Sequence, residues 1–188
     1  MKFFETSKYY SLKKSTYINL RWIGIIGQLI SIYLVFFYFN FEFDFILCNF
    51  IVFIGAISNL YLTFFYKKSQ ISDRAALIFL TIDILQLSFL VLLTGGVTNP
   101  FIIFLIIPSV FASSNLGFRT NLLILTITTC LIIFLTFYSE PLPRPLRDHF
   151  HVSPYYYYSI PIALIIALLF LNYFAIIFGN QSRLRKEA

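Results

Sequence analysis

Six long apolar runs, divided by short polar breaks, make up most of this chain. They cover residues 20–39, 45–65, 75–94, 100–117, 120–139 and 155–178. Each is close to the ~20 residues that an α-helix needs to cross the hydrocarbon core of a bilayer. Within lipid, only a helix satisfies its backbone hydrogen bonds inside one segment. The pattern therefore predicts an all-α integral membrane protein of six transmembrane helices. Its parts are a polar segment at 1–19, a membrane domain at 20–179 and a short polar piece at 180–188. The breaks are short except for the proline-rich stretch 140–154, and no repeat of 20–50 residues is visible.

Composition agrees. Hydrophobic residues are 59% of the 188 and charged residues 12%, about half the charge that a soluble domain carries. A water-facing surface cannot be built from that inventory. The net charge of +6 does not point to nucleic acid, because the basic residues mark the ends of apolar runs instead of forming one face. Cys48 and Cys130 lie inside apolar runs without C-x-x-C spacing, which predicts ordinary buried or lipid-facing thiols. The first apolar stretch is too long for a cleavable signal peptide and is followed at once by another.

Charge also gives the orientation. With six spans both termini fall on one side, together with Lys2, Lys8, Lys13, Lys14, Arg21, Lys67, Lys68, Arg74, Arg119, Arg183, Arg185 and Lys186. Those are twelve of the fourteen basic residues, with Arg144 and Arg147 opposite. The positive-inside rule predicts that both termini are cytoplasmic. The segments 40–44, 95–99 and 140–154 then lie outside. Trp22 and Tyr155 to Tyr158 fall at span ends, as interfacial aromatics do.

Polar residues inside the runs are the candidates for chemistry. Asp83 lies near the middle of the third run, with Gln86 one helical turn on and on the same face. A charged carboxylate at that depth costs ~2.5–3.5 kcal/mol on insertion scales. Asp83 either belongs to a ligand or proton pathway, or anchors helices together with Gln86, meeting Gln28 or Asn59 on neighbours. Gln28, Asn59 and Asn172 are amides, cheaper to bury, and read as packing contacts. Gly24, Gly27 and Ser31 place small residues at helical spacing in the first run. Pro108 is expected to kink the fourth helix. His149 and His151 form an H-x-H pair in the outer loop, too few ligands for a metal site, so no metal is predicted. No phosphate-binding loop, nucleophile triad or paired catalytic carboxylates appear.

The break between the third and fourth runs reads Gly95-Gly96-Val97-Thr98-Asn99-Pro100-Phe101. Paired glycines permit positive φ and close backbone approach, Asn99 suits an N-cap, and Pro100 suits the first helical position. A tight turn accounts for all of this. The residues in order, however, resemble the GGxxNPF heptapeptide of the RegB/PrrB-type redox-responding sensor histidine kinases. Leu20-Arg21-Trp22-Ile23 with Gly27-Gln28-Leu29 is similar to that family's LRW…GQL opening. Asp73-Arg74-Ala75-Ala76, Asp83-Ile84-Leu85-Gln86-Leu87, Leu93-Thr94 and Pro141-Leu142-Pro143 follow in the family's order, over roughly residues 20–180.

The resemblance implies a six-helix sensor in a bacterial inner membrane that binds ubiquinone near the heptapeptide and controls a cytoplasmic kinase. It implies a quinone site at Gly95, Gly96, Asn99, Pro100 and Phe101, with Asp83 and Gln86 as support from deeper in the bilayer. Residues 180–188 would begin a signalling linker. Homodimerisation through the cytoplasmic extension and a cognate response regulator would follow. The family's phosphoaccepting histidine, redox-active cysteine and ATP-binding domain lie beyond the sixth span. None is among these residues, so the expectation is a part that senses without catalysing. The competing expectations are a small transporter or channel using Asp83 and a structural membrane protein.

Overall fold

The computed structural model describes residues 12–149 and 152–187. Lys2, Lys8 and His151 lie outside the described residues. The chain is almost wholly helical. A two-residue strand β1 (Leu12–Lys13) leads into α1 (Lys14–Tyr33), which runs on as a π-helical turn, Leu34–Tyr38. Then come α2 (Phe45–Phe65), a second short strand β2 (Gln70–Ile71) and α3 (Asp73–Leu93). After α3 the chain makes two 3₁₀ pieces, Gly96–Thr98 and Pro100–Leu105, before α4 (Ile106–Asn115). The last helices are α5 (Phe118–Phe137), a single turn α6 (Leu146–His149) and α7 (Pro154–Glu187).

Five of these helices are long and apolar enough to cross a membrane. The fourth apolar run is different: Pro100–Asn115 is a shorter helical segment. Its first six residues are 3₁₀, which rises ~2.0 Å per residue, and the remaining ten rise ~1.5 Å each. Together they reach ~27 Å, nearly the thickness of a hydrocarbon core. Pro108 does not kink an α-helix as the sequence predicts; it sits in the first turn of α4. Lacking an N–H, it cannot offer the α-type bond to the Phe104 carbonyl, and its ring crowds that carbonyl. The segment before it is 3₁₀ instead.

Contacts between loops sort the connections onto two ends of the bundle. At one end β1 pairs with β2, Leu12 opposite Ile71. At that end too the Gly117 N–H donates to Asp73 Oδ2 at 3.0 Å. At the other end the Glu42 N–H donates to the Arg144 carbonyl and the Glu140 N–H to the Leu92 carbonyl, both at 2.8 Å. Local signals start the helices: Asp44 Oδ1 accepts from the Leu47 N–H at 2.9 Å, and Ser72 caps α3. Both are N-caps that satisfy an orphan amide.

The principal core lies among α3, α4, α5 and α7, where Ala76, Ile84, Leu105, Ala112, Ile124 and Leu168 are buried. A smaller cluster joins α1 to α2 and α3 through Ile25, Ile32, Cys48, Val52 and Leu90. Cys48 is buried and Cys130 exposed. Large apolar side chains such as Ile23, Phe37, Phe53 and Phe64 point outward. In water that would be a liability; in lipid it is the surface the protein needs.

Candidate functional site

The 94–101 turn is built from its own polar groups. Gly95 and Gly96 have φ of 116° and 56°, conformations that glycine adopts without strain. A Cβ on Gly95 would lie 2.5 Å from Leu142 Cδ2, and one on Gly96 would meet Ser139 and lie 2.9 Å from the Leu135 carbonyl. Both glycines therefore also serve close packing against the chain leaving α5. Thr98 Oγ1 donates to the Gly95 carbonyl at 2.6 Å. The Thr98 and Asn99 N–H groups donate back to the carbonyls of Gly95 and Gly96, at 3.2 and 3.1 Å.

Asn99 is the centre of this network and is only 8% exposed. Its Oδ1 accepts from the Phe101 N–H at 2.9 Å, capping the 3₁₀ segment. Its Nδ2 donates to the Thr94 carbonyl at 3.1 Å and to Thr94 Oγ1 at 2.6 Å. The amide donors are thus spent inside the turn, while Oδ1 keeps one lone pair. Pro100 is exposed and occupies the first helical position. Phe101 is 38% exposed and stacks on Phe104, with ring centroids 5.9 Å apart and planes at 20°. The turn presents an aromatic pair outward and keeps its hydrogen bonds inward.

Asp83 and Gln86 belong to a different neighbourhood. Asp83 is ten residues before the end of α3 at Leu93, ~15 Å of helix. Its Oδ1 accepts from Arg21 Nη2 at 2.6 Å and from Arg21 Nε at 2.9 Å. Tyr17 Oη donates to Asp83 Oδ2 at 2.8 Å. Arg21 further donates to Ser58 Oγ at 3.0 Å and to Asn59 Oδ1 at 3.4 Å. Its guanidinium carbon lies 5.6 Å from the Tyr17 ring centroid and 5.5 Å from that of Phe79. Gln86 Nε2 donates to Gln28 Oε1 at 2.7 Å, and Gln86 packs over Gly55 of α2. Both residues thus tie α3 to α1, and of the two sequence readings this geometry favours the interhelical anchor.

The sequence placed Arg21 with the interfacial basic residues. It is instead buried, because a guanidinium on this face of α1 finds a carboxylate, a hydroxyl and an amide in reach. The signal was available in the sequence: an arginine inside one apolar run and an aspartate inside another. Asn172 meets Ser109, whose Oγ donates to its Oδ1 at 3.3 Å across α4 and α7. Gly24 and Gly27 face outward, with no atom near a built Cβ. His149 is exposed, and the described residues include no group of three or more metal-ligating side chains.

A cavity of about 430 Å³ lies beside the turn, lined by Glu42, Asp44, Leu93, Glu140, Leu142 and Arg147 among others. Leu142 is shared between this cavity and the Gly95 contact.

These features define a multi-pass helical membrane protein with one self-contained polar turn and one intramembrane charge cluster. The chain is 30% identical over 161 residues to sensor histidine kinase RegB of Cereibacter sphaeroides, a match covering 85% of this chain and 35% of that protein. It is a homologue of the N-terminal part of that kinase. The chain thus spans about a third of the length of this curated relative. No family model matches the sequence, and no solved structure matches it.

Proposed function

We propose that this chain is the membrane-embedded sensor region of a two-component sensor histidine kinase. In this reading six segments cross a bacterial inner membrane and both termini are cytoplasmic. The carrying observation is the relationship to the N-terminal part of RegB, together with a chain dominated by membrane-length apolar helices. The sorting of loops onto two bundle ends supports an even number of crossings, with Pro100–Asn115 as the short one. The kinase domain, its response regulator and a homodimer formed through the α7 extension would lie on the cytoplasmic side.

The ligand would be a ubiquinone held against the lipid-facing Phe101–Phe104 pair, beside Gly95, Gly96, Asn99 and Pro100. Stacking on such a pair is worth about 0.5–1.5 kcal/mol beyond area burial. The free lone pair of Asn99 Oδ1 can accept from a quinol hydroxyl but not from a quinone carbonyl, so the two redox forms would bind unequally. Differential affinity of that kind is what a redox signal requires. The engagement of Asp83 by Arg21 and Tyr17 argues against a carboxylate free to carry an ion along a path.

The test is decylubiquinone binding to the purified chain in lipid nanodiscs, measured as saturable uptake above that of empty nanodiscs. Saturable binding is expected, weakened roughly two- to tenfold by Phe101→Ala. If Asn99→Ala and Phe101→Ala both leave the affinity unchanged, the quinone is not at this turn.

A further inference from the structure

A run of six 3₁₀ residues, Pro100–Leu105, is longer than the three or four such helices usually reach. It stands between the buried turn and α4. Pro108 bears on its α4 end. In an α-helix the Phe104 carbonyl would accept from residue 108, which has no N–H, and the proline ring would press on that carbonyl. Instead the Ile106 N–H reaches back to the Ile103 and Phe104 carbonyls. The turn end is held by Asn99, whose carbonyl accepts from the Ile102 N–H at 3.0 Å.

We infer that Pro100–Leu105 is a length switch, in which residues passing from 3₁₀ to α draw α4 toward the turn. The inference rests on the sensor reading above for its ligand and on local geometry alone for its motion. Each residue converted shortens the segment by ~0.5 Å and rotates it by ~20°. Three residues give ~1.5 Å, within the range of helix shifts that carry signals between packed elements; all six give ~3 Å. The turn is the fixed point, since Gly95 and Gly96 are clasped by Leu142 and Ser139.

The motion has a receiver. α4 packs along α7 more extensively than any other two helices pack in the bundle. Ser109 bonds Asn172 at its middle. Near its end the Ser114 backbone lies against Gly179, 2.9 Å from where a Cβ would stand. α7 runs on beyond Gly179 to Glu187. A ligand on Phe101 and Phe104 would touch two residues of the switch itself, so contact with the ligand and change in length share the same backbone.

The experiment places spin labels at Ile107→Cys in α4 and Phe65→Cys at the end of α2, both exposed positions, in a Cys48→Ala, Cys130→Ala background in nanodiscs. Pro108→Ala restores the missing donor and is expected to lengthen the distance by roughly 1.5–3 Å. Pro108→Ser restores the same donor should the alanine variant not fold. Decylubiquinone added to the Pro108 chain is expected to move the distance in one direction reproducibly. A folded Pro108 variant with an unchanged distance overturns the switch, whether or not quinone binds. Bound decylubiquinone with no change in distance overturns the coupling. Failure of decylubiquinone to bind defeats the site reading alone, and the Pro108 variants still decide the switch.

Discussion

Arg21 of α1 and Asp83 of α3 form a salt bridge inside the apolar bundle, Nη2 to Oδ1 at 2.6 Å, with the arginine side chain only 4% exposed. α1 lies at the periphery, and this pair and the Gln28–Gln86 bond are among its polar ties to α3. The pair has few alternatives to its present geometry, because neither charge has water to fall back on. Breaking a buried pair by removing one partner costs about 3–5 kcal/mol, whereas replacing both by apolar groups is often neutral. Asp83→Ala and Arg21→Ala should each lower the thermal midpoint of the detergent-solubilised protein by many degrees. Arg21→Met with Asp83→Leu should recover most of that loss. A double variant as unstable as the singles would mean that the wider network of Tyr17, Ser58 and Asn59 holds α1.

The two glycines of the turn should respond differently to rescue. Both have positive φ, so alanine costs ~1–3 kcal/mol at each. At Gly95 the obstacle is the end of a leucine, Leu142, and Leu142→Ala should relieve part of the damage. At Gly96 the Leu135 backbone carbonyl is 2.9 Å from the new Cβ, and no side-chain change at Ser139 removes it. Thermal unfolding of Gly95→Ala and Gly96→Ala, each with and without its partner change, checks this. Equal rescue at the two positions would contradict the packing described.

Sidedness follows from the loops. Lys68 and Arg147 are exposed and lie at opposite ends of the bundle. With cysteines placed singly there in a Cys48→Ala, Cys130→Ala background, a membrane-impermeant maleimide should label Arg147→Cys in intact cells. It should reach Lys68→Cys only after permeabilisation. The reverse pattern would invert the proposed topology, and labelling of both from outside would mean an even number of crossings between them instead of three.

The long helices were legible because lipid imposes one simple demand: a continuous apolar run of bilayer length, as in Phe45–Phe65 and Asp73–Leu93. The turn was legible too, since Gly95, Gly96, Asn99 and Pro100 each have a distinct backbone role. What the apolar pattern hid was the fourth segment. A 3₁₀ stretch and an α-helix have the same hydropathy, and only the missing donor at Pro108 distinguishes them. The partner of Asp83 was legible only in part. Arg21 lies near the start of its apolar run, where an arginine ordinarily reaches the interface. Only the packing of α1, α2 and α3 brings Ser58, Asn59 and Asp83 around it.

The Gln28–Gln86 bond should be a minor tie beside the charge pair. It is short, at 2.7 Å, but hydrogen bonds between membrane helices average only ~0.6 kcal/mol, with a maximum near ~1.7. Gln28→Ala should therefore cost less than about 2 kcal/mol, well below the loss at Asp83. Gly55 sets the position of the donor amide: a Cβ there would stand 2.9 Å from Gln86 Cδ, so Gly55→Ala should push the amide off Gln28. If that is the mechanism, Gly55→Ala and Gln28→Ala should be less than additive, because both break one bond. A double-mutant cycle on thermal unfolding measures the coupling. Full additivity would mean that Gly55 matters for the approach of α2 to α3 and not for the amide bridge.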